Sequence, residues 1–197
     1  PIFLIVSVAL FMLVAGIVWI QQQQRAQSER EMLETTRVLA KEMDSVWTFM
    51  ERNQSQFKLG RDGTYNLYCV VAVKSISMDF TRNSGYTIRY TNTETRKPTD
   101  SPDAFEQQAL SALKADTSLS SYSGFDKYEG EEVFRYCEPV HLTESCLECH
   151  GGPAGELDQK GYPKEGLKEG DIFGVASIIM PTTTYKSTQV ANVIQEF

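Results

Sequence analysis

The sequence predicts an α+β domain with an antiparallel sheet, set behind a long N-terminal helix whose first part is able to cross a bilayer. Three observations carry this expectation: an uncharged apolar run over residues 2–20, a helix-forming tract without Gly or Pro over residues 21–56, and the order of elements beyond residue 56. That order reads short elements, strand, helix, strands, helix, which belongs to a sheet with segregated helices rather than to alternating βαβ units.

Within residues 2–20 only Ser7 and Gly16 fall outside the hydrophobic set. Nineteen residues rising about 1.5 Å each make a helix of roughly 28 Å, close to the roughly 30 Å of bilayer hydrocarbon. A signal-peptide core is shorter, about 7–15 apolar residues, and ends at a small-residue cleavage site. Here Trp19 stands at the boundary, where an indole is favoured, and four Gln occupy 21–24. The expectation is a retained anchor over residues 1–20. The chain opens at Pro1 without an initiator Met and stops abruptly at Phe197, so it reads as a piece of a longer protein. The flank that would set orientation is missing, and orientation has to come from the chemistry downstream.

Residues 21–56 are dominated by Gln, Arg, Glu, Lys, Met, Leu and Ala, all good helix formers. Leu39, Met43, Val46, Trp47 and Met50 recur at three and four, one apolar stripe on a juxtamembrane helix continuous with the span. The stripe reads as core-facing, or as the seam of a parallel dimer to which Leu33 and Val38 also contribute.

Gly60 and Gly63 break that helix. An apolar stretch over 65–73 comes next, and then a helical stretch through Ile76, Met78 and Phe80. Residues 87–92, with Ile88 and Tyr90 alternating against Arg89 and Thr91, read as a strand. Asp103 with Glu106 three residues on caps a helix to about Lys114. Residues 131–139 read as another strand, and 151–170, with six Gly and two Pro, as a long polar loop. Residues 171–180 are apolar on both faces and so predict a central strand, ended by Pro181. A final helix is compatible with 182–197. The expected organisation is therefore 1–20 anchor, 21–56 juxtamembrane helix, 57–181 α+β domain, and 182–197 a helix leading onward.

The 19 Lys+Arg against 26 Asp+Glu leave a formal charge of −7, which argues against a nucleic-acid binder. The chemistry lies instead in Cys146-Leu147-Glu148-Cys149-His150, a C-x-x-C-H pattern that marks covalent attachment of a c-type haem. Two Cys separated by two residues project from one turn, so each sulfur can form a thioether with one vinyl group. The adjacent His then places an imidazole nitrogen on the iron. The expected cofactor is one covalent haem c, held by Cys146 and Cys149 with His150 as axial ligand.

Three rivals compete for these residues. A thioredoxin-like pair needs a strand and helix start in a βαβ unit, which this region lacks. A zinc site over Cys137, His141, Cys146 and Cys149 has workable spacing but leaves His150 unexplained. A Cys146–Cys149 disulfide is strained at this separation. Haem c is attached outside the cytoplasm, so the main domain is expected to be extracytoplasmic on a bacterial cytoplasmic membrane, with the N-terminus of the anchor inside.

Several short blocks in order resemble the PAS-like periplasmic c-type haem sensor family: Tyr68-Cys69, Asp103-Ala104-Phe105-Glu106, Phe134-Arg135-Tyr136, Glu144 through Gly151, and Lys168 through Gly174. The resemblance covers roughly residues 30–181, and the chain departs from the family pattern at Cys137 and His141. Members occur alone or as the sensor of bacterial histidine kinases and chemoreceptors. The resemblance implies a five-stranded PAS-like antiparallel sheet with flanking helices, and a second axial iron ligand at Cys69. From the residues alone, Cys69 also reads as a buried packing residue, the commoner role of a lone Cys in an apolar segment, or as a disulfide partner of Cys137, and His141 is the other candidate for the far side of the iron, if that side is not open. Arg89, Arg135 and Tyr86 are candidate partners for the haem propionates.

A weakly held thiolate ligand lowers an iron potential and can leave on reduction or gas binding. The expected role is thus a membrane-tethered sensor domain for redox state or a diatomic gas (NO, CO or O2), with the long helix carrying the signal. The expected partners are the lipid bilayer, a second copy in a homodimer and a gas or redox partner, and no nucleic acid. The alternatives are a membrane-anchored monohaem cytochrome passing electrons and, third, an enzyme acting at the haem with His141 as distal group. No catalytic role is assigned to this chain itself, although the whole protein would suit a histidine kinase in a two-component system. The gene beyond Phe197 separates the readings: a second span and a kinase or methyl-accepting region for sensing, or a stop for electron transfer.

Overall fold

The structure is a computed structural model that describes residues 2–53, 56 and 68–183, apart from the side chains of Ile2 and Cys69. The sequence expectations at 60–63, over 65–67 and over most of 182–197 lie outside the described residues. The chain divides into two compact units, residues 1–35 and 36–197.

The first unit consists of the beginning of helix α1 (Ile2–Arg52). The large apolar residues over 3–20 stand exposed, Phe3 at 90% and Trp19 at 63%, whereas Met32 is buried. Ser7 donates its hydroxyl to the Phe3 carbonyl at 2.8 Å, so the one polar side chain in the apolar run is satisfied within the helix. The described residues contain one helix long and apolar enough to cross a membrane.

In the second unit the rest of α1 buries Thr36, Ala40, Met43 and Met50, a three-and-four stripe. It overlaps the predicted stripe at Met43 and Met50. Leu39, Val46 and Trp47 are half-buried at its margins, with the Trp47 and Tyr90 rings tilted against each other at 5.8 Å. Val38 is exposed. Helix α2 (Cys69–Ser84) ends on Gly85 in the left-handed region at φ 76°. Strand β1 (Thr87–Asn92) begins at once.

Helix α3 (Ala104–Ala115) opens as expected: Asp103 accepts from the Glu106 amide and Glu106 reaches back to the Asp103 amide, a complete capping box. Strands β2 (Tyr122–Tyr128) and β3 (Glu131–His141) form a hairpin through Glu129 and Gly130, both at positive φ. Strand β2 was not expected from the sequence. The 3-10 turn Glu144–Cys146, the short helix α4 (Leu147–His150) and the long loop then lead to β4 (Ile172–Pro181).

The sheet is antiparallel with order β1-β4-β3-β2. β4 is central, as its two apolar faces predict. Among the described residues the sheet has four strands, where the family resemblance implies five. Gly174 on β4 faces Thr91 so closely that a Cβ would lie 2.3 Å from the Thr91 carbonyl oxygen, so only glycine fits.

Helix α3 covers one face of the sheet, where Phe105, Ala109, Leu110 and Leu113 pack over Cys137 and Val175. Beneath its N-terminus lies a charged cluster. Arg135, 1% exposed, donates to Asp103 at 2.8 Å, to fully buried Glu106 at 3.1 Å, to Asp126 at 3.4 Å and to Ser177 at 3.2 Å.

Candidate functional site

The site grows from the end of β3. Leu142 is tied at both ends to the approach to β4: its amide donates to the Asp171 carbonyl at 2.9 Å, and its own carbonyl accepts from the Gly170 amide at 2.8 Å. The chain then tightens into the 3-10 turn and α4, which present Cys146, Cys149 and His150 from about two turns. Gly151 must succeed His150 without a side chain, because a Cβ there would lie 2.6 Å from the Leu147 carbonyl oxygen.

Residues 151–170 contain a small hairpin rather than an unstructured loop. Leu157 and Pro163 bridge, and Gly155 and Lys164 donate to the carbonyls of Lys164 and Glu156, each at 2.8 Å. Asp158 closes the tip by accepting the amides of Lys160 at 2.8 Å and Tyr162 at 2.9 Å. The returning arm pairs back on the motif: Leu167 donates to the His150 carbonyl at 2.9 Å and Gly166 to the Gly151 carbonyl at 3.1 Å.

That return delivers Glu165 onto His150, Oε2 to Nδ1 at 2.8 Å. A carboxylate only accepts, so Nδ1 is the donor of this bond, and in the neutral ring the lone pair is then on Nε2. No hydrogen bond to Nε2 occurs among the described residues. Phe173 packs on the imidazole with ring centroids 4.4 Å apart.

Arg96, from the segment after β1, braces the same site. It donates to Asp158 at 2.5 Å, to the Cys149 carbonyl at 2.9 Å and to Glu165 at 3.4 Å. Burial works against the charge of Asp158, but the two amides and the Arg96 guanidinium outweigh it and hold the carboxyl below its ordinary range.

Cys146 and Cys149 are free, half-buried thiols. Burial first, and then the charge of Asp158, push the Cys149 thiol above its ordinary value. A thioredoxin-type pair sits in a βαβ unit, whereas every strand pairing among the described residues is antiparallel. Among the described residues no group of three or more His, Cys, Asp or Glu is placed to hold a metal ion, so the four-residue zinc arrangement does not assemble. Cys137 is a free thiol buried under α3, where burial raises its pKa to about 12.

The predicted site residues thus separate into groups. Cys146, Cys149 and His150 are together. His141 is exposed at the end of β3, its Nδ1 3.0 Å from the Gly170 carbonyl oxygen. Arg89 and Arg135 meet each other's partners at the start of α3: Arg89 lies 3.4 Å from Glu106 and donates to the Ser101 carbonyl at 2.9 Å. Tyr86 stacks on Phe80 at 6.3 Å, beside β1. Cys69 is the first residue of α2, and its side chain lies outside the described residues.

Sequence reasoning missed Glu165, Arg96, Asp158 and Glu51. Glu51, near the end of α1, accepts hydrogen bonds from Ser145 at 2.8 Å and from Thr143. Thr143 in turn lies 3.3 Å from the Cys146 sulfur. None of these residues has a spacing rule; only the glycines of the 151–170 segment signalled that the chain turns there.

The model of the Tll0287-like family (Tll0287) matches residues 22–181. Among solved structures, the crystal structure of the cyanobacterial heme-protein Tll0287 is similar, with a TM-score of 0.58 at 21% identity over 77% of this chain and 95% of that chain. At that identity the likeness is one of fold. No curated protein matches the chain.

Proposed function

The chain belongs to the Tll0287-like family, and from that premise we propose that it is a membrane-tethered, extracytoplasmic sensor domain of PAS-like type that carries one covalent haem c. The observation that carries this reading is the donor set: two free thiols at C-x-x-C spacing beside an imidazole whose Nδ1 is pinned and whose Nε2 is unengaged. The similar fold of a solved heme-protein supports it.

In this reading Cys146 and Cys149 would hold the haem through thioethers, His150 would bind the iron through Nε2, and Cys69 at the head of α2 would supply a second ligand. Bound there, the group would supply a one-electron ferric/ferrous couple. The protein's part is to orient His150, through Glu165 and Phe173, and to tie the motif to α1. The second task favours sensing over plain electron transfer: Glu51 is the acceptor for the two hydroxyls that lead into Cys146, so a shift of the motif has a handle on the long helix.

The test is expression of the full chain with cytochrome c maturation, and then pyridine haemochrome spectroscopy and intact mass. One haem attached through two thioethers is the expected result, and colourless protein with the mass of the bare chain overturns the reading. Hydrogen exchange over residues 36–52, compared between oxidised and reduced protein, then separates the roles. A redox-dependent difference supports sensing, and identical protection assigns electron transfer.

A further inference from the structure

Glu165 stands out because so much structure is spent on placing it. It lies 15 residues after His150, yet the backbone pairing of Gly166 and Leu167 with residues 150 and 151 returns it to the imidazole. Gly166, at φ 78°, makes the turn; a Cβ there would lie 2.9 Å from the Ala154 Cβ, so no other residue fits. Both partners are sheltered, with His150 20% and Glu165 15% exposed. The other carboxylate oxygen of Glu165 faces Arg96, which is itself anchored on fully buried Asp158 and on the Cys149 carbonyl.

We infer that Glu165 is the positioning residue of His150: its carboxylate fixes the ring and its tautomer and enriches the Nε2 lone pair, while Arg96 draws off part of that negative charge. This rests on the haem reading above and deepens it. A carboxylate behind an axial imidazole makes it a stronger donor and favours the more highly charged metal state. Arg96, competing for the same carboxylate, works in the opposite direction. Glu165 and Arg96 thus set the iron's potential with opposite signs, and the centre is biased toward the ferric form.

The experiment is a spectroelectrochemical titration of the full-length holoprotein in detergent, for the wild type and for Glu165→Gln, Glu165→Asp and Arg96→Gln. Glutamine still accepts from Nδ1 but has no charge. At the wild-type midpoint, Glu165→Gln is expected to raise the ferrous-to-ferric ratio about tenfold, equivalent to about 59 mV for one electron. Glu165→Asp keeps the charge and stays near the wild type, and Arg96→Gln moves the ratio toward ferric. The iron–histidine stretch in resonance Raman spectra should soften in Glu165→Gln. If Glu165→Gln and Arg96→Gln both bind haem in wild-type amounts and titrate as wild type, or shift in the same direction, the inference falls while the haem reading stands. Should Glu165→Gln fail to mature, the Arg96→Gln and Glu165→Asp titrations decide by the same signs. A wild type without covalent haem removes the reading and the inference together.

Discussion

Ser145 donates its hydroxyl to Glu51 at 2.8 Å, joining the turn that carries Cys146 to the end of the long helix across 94 residues of sequence. Thr143, which caps the turn, makes the same connection. Two hydroxyls on one carboxylate hold the motif and the helix in register, so movement of either is felt by the other. This contact does not depend on Cys69, and it offers a second route from the motif to α1.

Replacing Glu51 by Ala should leave haem attachment intact, because Glu51 touches neither cysteine. The loss of two hydroxyl–carboxylate bonds at a half-buried position costs about 1–3 kcal/mol. The oxidised-minus-reduced difference in hydrogen exchange over residues 36–52 should shrink or vanish. An undiminished difference in the Glu51→Ala protein would place the coupling elsewhere.

Removing one anchor of the motif should change the spectrum rather than the fold. With Cys146→Ser or Cys149→Ser, one thioether is lost, and the pyridine haemochrome band should move to longer wavelength. The double variant should release haem into acidified organic solvent.

Arg135→Met would leave Asp103 and fully buried Glu106 with Arg89 as their remaining cation. The expected loss is at most about 3–5 kcal/mol, since buried Glu106 keeps only part of its compensation. Combining it with Glu106→Gln should recover part of that loss. Urea unfolding of the single and double variants measures both, and additive losses would show that the cluster is not coupled.

Gly174→Ala tests the close approach of the two sheet strands. Its Cβ would lie 2.3 Å from the Thr91 carbonyl and 3.0 Å from the Asn92 Cβ, both on β1. Overpacking of this kind costs about 1–3 kcal/mol, and a lowered thermal midpoint should report it.

Alkali should expose Cys137. Burial raises its pKa from the ordinary 9.0 to about 12, so the folded state holds the proton that the unfolded chain releases. That contribution to stability is fully present below about pH 9 and is lost as the pH rises toward 12. Tyr136, raised by burial and by its hydrogen bond to Glu138 to about 12, adds to the same loss. The urea midpoint should therefore fall from pH 9 to 11, and Cys137→Ala should flatten the fall. Native protein should also resist maleimide at Cys137 while apoprotein reacts at Cys146.

The parts of this protein that were legible in its sequence are those encoded within a few residues. The apolar run of β4 and the Asp103–Glu106 cap state local rules that the structure follows, and the C-x-x-C-H spacing brings two thiols and an imidazole together. The pattern in β1 places the strand, but its burial falls on Ile88 and Thr91 with Tyr90 half-buried. Strand β2 was not legible because Gly124 and Asp126 dilute its pattern and Phe125 points outward. Its membership comes from pairing with β3, where Phe125 meets Phe134 at 5.3 Å. The Glu129-Gly130 turn was the one signal that could have revealed it.

The candidate site divides in the same way. Cys146, Cys149 and His150 are neighbours in sequence, so a single turn of chain assembles them and the spacing alone announces them. Arg96 and Glu165 arrive from 53 residues before Cys149 and 15 residues after His150. They meet only because the segment after β1 runs beside a hairpin that folds back on the motif. Arg89 and Arg135 illustrate the converse. As isolated cations they suited an anionic ligand, but α3 sets its own carboxylates between them. Local periodicity and spacing specify which elements form and which residues bear the chemistry, because backbone geometry links neighbours directly. Which charge faces which imidazole is decided by loop closure and strand order, and those depend on contacts between residues far apart in the chain.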